Sequence, residues 1–455
     1  MSFKDLPAEI YGHIIKDYET ENLDQNVSAK NRLKRTLTLC HITTRFRQAA
    51  LAHDSLWSTI HLHWPSDAVD LYLAHSERHR LRNLSIFLDT RSAGTRNMKA
   101  KQERWASFLS KELKNTASLS IKIQHKQGSP ALADALNQTS APRLIDLTVD
   151  LDQRAHDDFG IRSLLACDAP LLRNAHIHAN LNHNLHAFTS MRKLVFRIGH
   201  HNFKGLMEML ANLPPSLRML RLKGVDIWDG QLLPRPPTVP SLLDECTHLS
   251  IEAVEAHRVA FILSNISFPR LSRLQIFEEM VEMQDNTLSL SIFGTLPRLV
   301  PSTEPRDWLY LGLFPKRLIV EIQGYRFQSD WKKFEVLDRP LFQQTIIRAF
   351  RAPATTIFFQ PPCLTVENAA SAHEQPHINA LLEEVLRTYP STRSLEIKGN
   401  ATPIVQLVCD AQPVVLPNLV DIRTTPMSGS KRATECDPDY IAKLKQTTQL
   451  ELVRD

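Results

Sequence analysis

Glycine is scarce in this chain. Thirteen occur in 455 residues, and they form no Gly-x-Gly-x-x-Gly, no Gly-x-x-x-x-Gly-Lys and no Gly-x-Ser-x-Gly. A phosphate cradle needs glycines so that backbone N–H groups can approach the ligand, and their absence argues against nucleotide chemistry. The elbow that presents a hydrolase serine and the His-Glu-x-x-His zinc helix are missing too. No catalytic constellation remains, and nothing calls for a cofactor. Cysteine is also sparse: Cys40, Cys167, Cys246, Cys363, Cys409 and Cys436 are scattered with no close pair. That argues against a disulfide framework or a zinc module and suits reduced thiols inside a cell. No apolar run approaches the roughly 18 residues of a membrane span, and the first residues hold no apolar h-region, so cytoplasm or nucleus is the expected location. A surplus of one charge sign is lacking as well, with 54 Lys and Arg against 49 Asp and Glu. The basic clusters are short: Lys30, Arg32, Lys34 and Arg35, then Arg78, Arg80 and Arg82. A nucleic-acid binder concentrates such residues on one face, so solvated helix faces account for these and no nucleic-acid partner is expected.

What is present suits a folded protein. Hydrophobic residues make up 43% and charged residues 23%, which is enough apolar surface for a core. The length fits a few ordinary domains, or one module followed by an elongated array. The first stretch opens Leu6-Pro7-Ala8-Glu9-Ile10, where a proline of fixed φ and an early acidic residue suit a helix start. Leu6, Ile10 and Ile14, with Tyr11 and Ile15 beside them, follow helical spacing. A second apolar set runs Leu37, Leu39, Cys40, Ile42, Phe46, Ala49 and Ala50, and the segment closes on Leu56-Trp57.

These blocks resemble an F-box, the helical docking module of ubiquitin-ligase substrate receptors. The opening matches Leu-Pro-x-Glu-Ile at each fixed position. Ile42-Thr43-Thr44-Arg45-Phe46-Arg47 partly matches the later Val-Cys-basic-x-aromatic-basic run, with Thr43 and Thr44 as departures, and Leu56-Trp57 supplies the closing pair. Glu19 to Asn31 reads as a polar insertion longer than the usual loop. The resemblance implies a module over residues 1–65 that docks a Skp-type adaptor, and through it a cullin scaffold, with Leu6, Pro7, Ile10, Ile42 and Phe46 at the contact. The alternative is a small helical cap on a larger fold. A helical unit of this size buries little surface alone, and apolar residues on more than one face of its first helix favour docking.

From residue 80 to 455 a Leu-x-Leu or Leu-x-Ile strand pattern returns. Anchors at Leu119, Leu147, Ala175, Leu194, Leu220, Leu249 and Leu274 lie 19 to 29 residues apart, the period of a leucine-rich repeat. Further instances stand at Leu84, Leu395 and Leu450. Amphipathic helical stripes fill several intervals: Trp105, Phe108, Leu109 and Leu113; Leu206, Leu210 and Leu213; and Ile378 to Tyr389. Neither element can bury its apolar face alone, so neighbours must stack, and the expected fold class is α/β: the N-terminal helical module followed by a curved solenoid of irregular repeats. A doubly wound α/β domain is the rival, but its strands would read as continuous apolar runs. The rhythm breaks at the proline-rich 231–241, at 278–315 and at 352–376, where 288–292 and 357–359 are candidate strands.

Strand alternation then predicts which side chains face outward: Asp146 and Asp150, His176 and His178, Arg197, Arg221 and Lys223, Ser250 and Glu252. The middle of that series is basic. Asp146, His176, His178, Arg197, Arg221 and Lys223 are therefore the candidate substrate contacts, with an acidic or phosphorylated segment meeting the arginines and Lys223. The histidines at 176, 178, 183, 186, 200 and 201 invite a metal reading, but three or four converging ligands are required and a surface run of histidines is the plainer account, so no metal is expected. Together these readings point to a non-catalytic substrate receptor of a cullin-type (SCF) ubiquitin ligase, similar to the large F-box families of mushroom-forming fungi. A protein-interaction scaffold built on the same repeats, without a ligase, is the alternative.

Overall fold

The structure is a computed structural model. It describes residues 7–22, 29–78, 83–90, 97–123, 129–151, 163–178, 185–198, 203–224, 241–280, 308–314, 317–322, 324–331, 361–369, 375–425, 442 and 451–454. Leu6, three of the six clustered histidines (His183, His200 and His201), the proline-rich residues 231–240 and the candidate strands at 288–292 and 357–359 lie outside the described residues. The chain divides into two compact units, Met1–Leu217 and Arg218–Asp455. The helical segment therefore shares a unit with the first strands of the repeat region.

The first unit opens with α1 (Ala8–Asn22), α2 (Ala29–Ile42), α3 (Thr44–Ala52) and α4 (Asp54–Trp57). Part of the expected polar insertion is thus helical. Strands and helices then follow: β1 (Thr59–His61), α5 (Ser66–Arg78), β2 (Leu84–Asp89), α6 (Met98–Glu112), β3 (Thr116–Ile123), α7 (Pro130–Gln138), β4 (Asp146–Leu151), β5 (Asn174–His178), β6 (Lys193–Ile198) and α8 (Phe203–Ala211). Short 3-10 turns stand at Leu164–Cys167 and Leu185–Ala187, ahead of β5 and β6. The strands from β1 to β6 pair in chain order, all parallel. The register aligns Ile60, Ile86, Leu119, Leu147, Ala175 and Leu194 in one row, and all six are buried. Each large aliphatic in such a row stabilises by roughly 1.5–3 kcal/mol relative to exposure. α7 shows the local logic of a helix: Ser129 accepts from Leu132 N–H at 3.2 Å, Pro130 opens the first turn, and Leu132, Ala133, Ala135 and Leu136 form the buried stripe.

The second unit comprises β7 (Met219–Gly224), β8 (Ser241–Leu242), β9 (His248–Glu255), α9 (Ala256–Asn265), β10 (Ile266–Ser267), β11 (Arg273–Met280), β12 (Trp308–Phe314), β13 (Arg317–Ile322), β14 (Tyr325–Trp331), β15 (Cys363–Asn368), α10 (Gln375–Thr388), β16 (Ser394–Gly399), α11 (Thr402–Asp410), β17 (Asp421–Thr425) and β18 (Glu451–Arg454). Its main sheet runs β7-β9-β11-β14-β13-β12-β15-β16-β17-β18, while β8 and β10 form a small parallel pair. Pairings in the main sheet are parallel except those of β13, which is antiparallel to β12 and β14. This meander occupies part of the stretch where the repeat period is lost, and it departs from a regular β-α progression. In the 352–376 interval β15 is a strand among the described residues. A bulge in β9 leaves Ala253 at φ +53° opposite the Phe277/Glu278 step. Gly224 lies beside it, and a Cβ there would stand 1.7 Å from the Ala253 carbonyl oxygen. Among the described residues no helix is long and apolar enough to cross a membrane.

Candidate functional site

Two sets of expected contact residues can be followed into the structure, one on the helices and one on the strands. In the helical set, Pro7 is exposed and its carbonyl accepts from Ile10 N–H at 3.1 Å, starting α1. Tyr11 and Ile15 turn inward, at 2% and 0% exposure, while Ile10 stays 40% exposed. Ile42, at the end of α2, is 47% exposed. Thr43, which departs from the F-box pattern, caps α3: its hydroxyl accepts from Phe46 N–H at 3.1 Å. Arg47 Nε donates to Cys40 O at 2.8 Å and so satisfies a carbonyl in the last turn of α2.

Phe46 requires a correction. Expected at the docking surface, it is 1% exposed and meets Tyr11 edge to face, with ring centroids 4.8 Å apart. Its ring holds α3 to α1 and is not offered to a partner. Of the five helical candidates, Pro7, Ile10 and Ile42 are therefore surface groups and Phe46 is core.

Three tryptophans, of which sequence reasoning left only Trp64 unused, knit these helices to one another and to the segment around β1. Trp57 donates its indole N–H to Ala50 O at 2.9 Å, Trp64 to Ala29 O at 3.0 Å, and Trp105 to Leu62 O at 2.8 Å. Trp57 also stacks on His75 at 4.3 Å, and His61 stacks on Phe87 of β2 at 5.0 Å. Burial pushes His61 down to about 3, with the charges of His63 and Arg32 adding to the effect. The visible signal was the clustering of Trp57, His61, His63 and Trp64 at the end of the module.

On the strands of the first unit, Asp146 is exposed and accepts from Asn174 Nδ2 at 2.7 Å. His176 is exposed, but His178 is only 4% exposed, its Nδ1 2.6 Å from Asp150 Oδ1. The two histidines alternate as expected yet differ in access, so His178 is corrected from outward contact to covered partner of Asp150. The hydrogen bond with His178 holds the Asp150 carboxyl below the usual range against the opposing effect of burial, and the charges of His178, Arg197 and Lys122 lower it further. Among the described residues no group of three or more His, Cys, Asp or Glu is placed to hold a metal ion.

In the second unit the expected basic contacts are already engaged. Arg221 reaches Glu252 Oε1 through Nε at 2.7 Å and Nη2 at 2.6 Å, while Lys223 Nζ lies 3.6 Å from Glu252 Oε2. Ser250 Oγ donates to the same carboxylate at 3.0 Å. The reason is register: Lys223 pairs with Glu252 across parallel strands, so the carboxylate sits among the cations that were expected to read an acidic segment. The same habit continues along the sheet. Arg326 Nη1 is 3.4 Å from Glu321 and its guanidinium lies 5.8 Å from the Phe277 ring centroid, Tyr310 donates to Glu367, and Thr365 donates to Glu396. Burial, reinforced by Glu367, pushes the Tyr310 hydroxyl well above its usual range. These faces are ladders of cross-strand polar pairs. No protein-family model matches the chain, and no curated protein matches it either.

Proposed function

We propose that the chain is the substrate-recognition subunit of a cullin-type ubiquitin ligase, with residues 1–65 acting as an F-box that docks a Skp-type adaptor and the strand-bearing region acting as leucine-rich repeats that hold a protein substrate. The observation that carries the reading is the division of labour in the helices: Tyr11, Ile15, Leu39 and Phe46 are buried, while Ile10 and Ile42 stay exposed. On this reading the two exposed isoleucines belong to the surface that the adaptor covers. In the first unit the strands advance in chain order with their apolar anchors in register, which supports stacked repeats over a doubly wound sheet, whose order reverses at a switch point. No catalytic residue is needed, because a receptor acts by raising the effective concentration of a substrate lysine near an enzyme held elsewhere. Exposed Asp146 and His176 are the strand-face groups offered to substrate.

The test is co-purification of the full chain with a Skp-type adaptor, compared with an Ile10→Asp, Ile42→Asp double variant. Wild-type capture and its loss in a variant of unchanged melting temperature is the expected result. Equal capture by both proteins would remove these residues from the contact. A folded wild-type chain that captures no adaptor would leave the scaffold reading in its place.

A further inference from the structure

Residues 29–52, which include all of α2 and α3, contain six basic side chains and no aspartate or glutamate. α1 has the opposite balance, four acidic residues against one lysine. Within α2 the exposed positions, Lys30, Asn31, Lys34, Thr38, His41 and Ile42, fall on one side of the helix. Arg47 adds its guanidinium where the last carbonyls of α2 favour a cation, anchored on Cys40 O. The stripe thus carries two lysines, with Arg47 beside its end, and finishes on an exposed isoleucine.

We propose that this stripe of α2 docks an acidic protein surface, with Ile42 as its apolar anchor and Lys30 and Lys34 steering the encounter. The inference rests on the docking reading above and goes beyond it by assigning the charge of the partner and the residues that sense it. Charge complementarity selects the occupant: a basic stripe without a carboxylate gains from acidic neighbours and repels basic ones. A protein fits better than nucleic acid, whose phosphates offer nothing to Ile42 and whose bases need stacking platforms. It fits better than a bilayer, because α2 shows a single large exposed apolar residue rather than a broad apolar face.

The experiment uses the full chain, a Skp-type adaptor, and three proteins: wild type, a Lys30→Glu, Lys34→Glu double variant, and Ile42→Asp. Melting temperatures should agree, since all three positions are exposed. At low salt the double variant should associate with the adaptor at least about tenfold more slowly, the gap closing as salt is raised, and Ile42→Asp should lose capture. Unchanged association by the double variant overturns the inference and leaves the docking reading standing. If the wild type captures no adaptor, the docking reading fails, and poly-L-glutamate, an RNA homopolymer and phosphatidylserine vesicles decide the charge question. Salt-sensitive binding of poly-L-glutamate in preference to the other two, lost in the double variant, sustains the acidic partner, and any other pattern overturns it.

Discussion

In the helical module the side chains that hold the fold and those that face outward lie on different sides of the same helices, so Phe46 and Tyr11 pack while Ile10 and Ile42 remain in water. On the strand faces of the second unit the outward groups also bind one another, as Arg221, Lys223 and Glu252 do. The difference follows from spacing. Helix neighbours at three and four residues separate inner and outer stripes, whereas parallel strands set outward side chains opposite one another across the sheet. On that face Arg221 and Lys223 are therefore committed to Glu252 before any partner arrives. The helical surface carries apolar groups that folding leaves uncovered.

The sharpest way to break this comparison is Phe46→Ala. If the ring is core, the first unit loses about 3–5 kcal/mol in urea unfolding, against about 0.5 kcal/mol or less for Ile42→Ala. Similar small losses for both would return Phe46 to the surface.

Gly224→Ala tests the second unit where β7 lies against the bulge of β9. The new Cβ would meet the Ala253 carbonyl at 1.7 Å, and backbone cannot move aside as a side chain can, so a loss of about 3 kcal/mol is expected. An unchanged denaturation midpoint would show that the bulge yields.

Acid probes the junction between helices and strands. Unfolded His61 titrates at 6.5 and folded His61 near 3, so between those values the unfolded chain binds the extra proton. The stabilisation is complete above about pH 6.5 and falls by about 1.4 kcal/mol per pH unit below it, reaching about 2 kcal/mol of loss at pH 5. Unfolding of the first unit followed at pH 7 and pH 5 should show this slope in wild type and a shallower one in His61→Phe. Identical slopes would place the acid sensitivity elsewhere.

A smaller stability effect, together with a binding effect, belongs to Glu252→Gln. Arg221 and Lys223 are 42% and 37% exposed, so screening limits the stability change to about 1 kcal/mol. With the carboxylate removed, the two cations become available, and affinity for an acidic peptide should rise. No gain by fluorescence titration would mean that Glu252 is not what keeps them occupied.

Much of the architecture was legible in the order of residues. Leu84, Leu119, Leu147, Leu194, Leu220, Leu249, Leu274 and Leu395 all fall inside strands, because an alternating apolar pair depends on backbone geometry within a few residues. The stripe from Trp105 to Leu109 lies in α6 for the same reason. The antiparallel meander of β12 to β14 was not legible: chain reversal depends on which strand finds which neighbour, and the Leu318, Val320 and Ile322 alternation is the same in either direction.

The contact residues divide along the same line. The sequence by itself determined that Ile10, Ile42 and Phe46 sit at apolar positions of helices, and that Arg221 and Lys223 share one side of a strand. Only the tertiary structure decided that Phe46 turns into Tyr11 while Ile42 does not, that His178 is covered beside Asp150 while His176 is open, and that Glu252 stands between two cations. Burial and ion pairing are properties of neighbours that lie about 30 residues away along the chain, as Asp150 does from His178 and Glu252 from Arg221, and no local pattern records which of them will arrive.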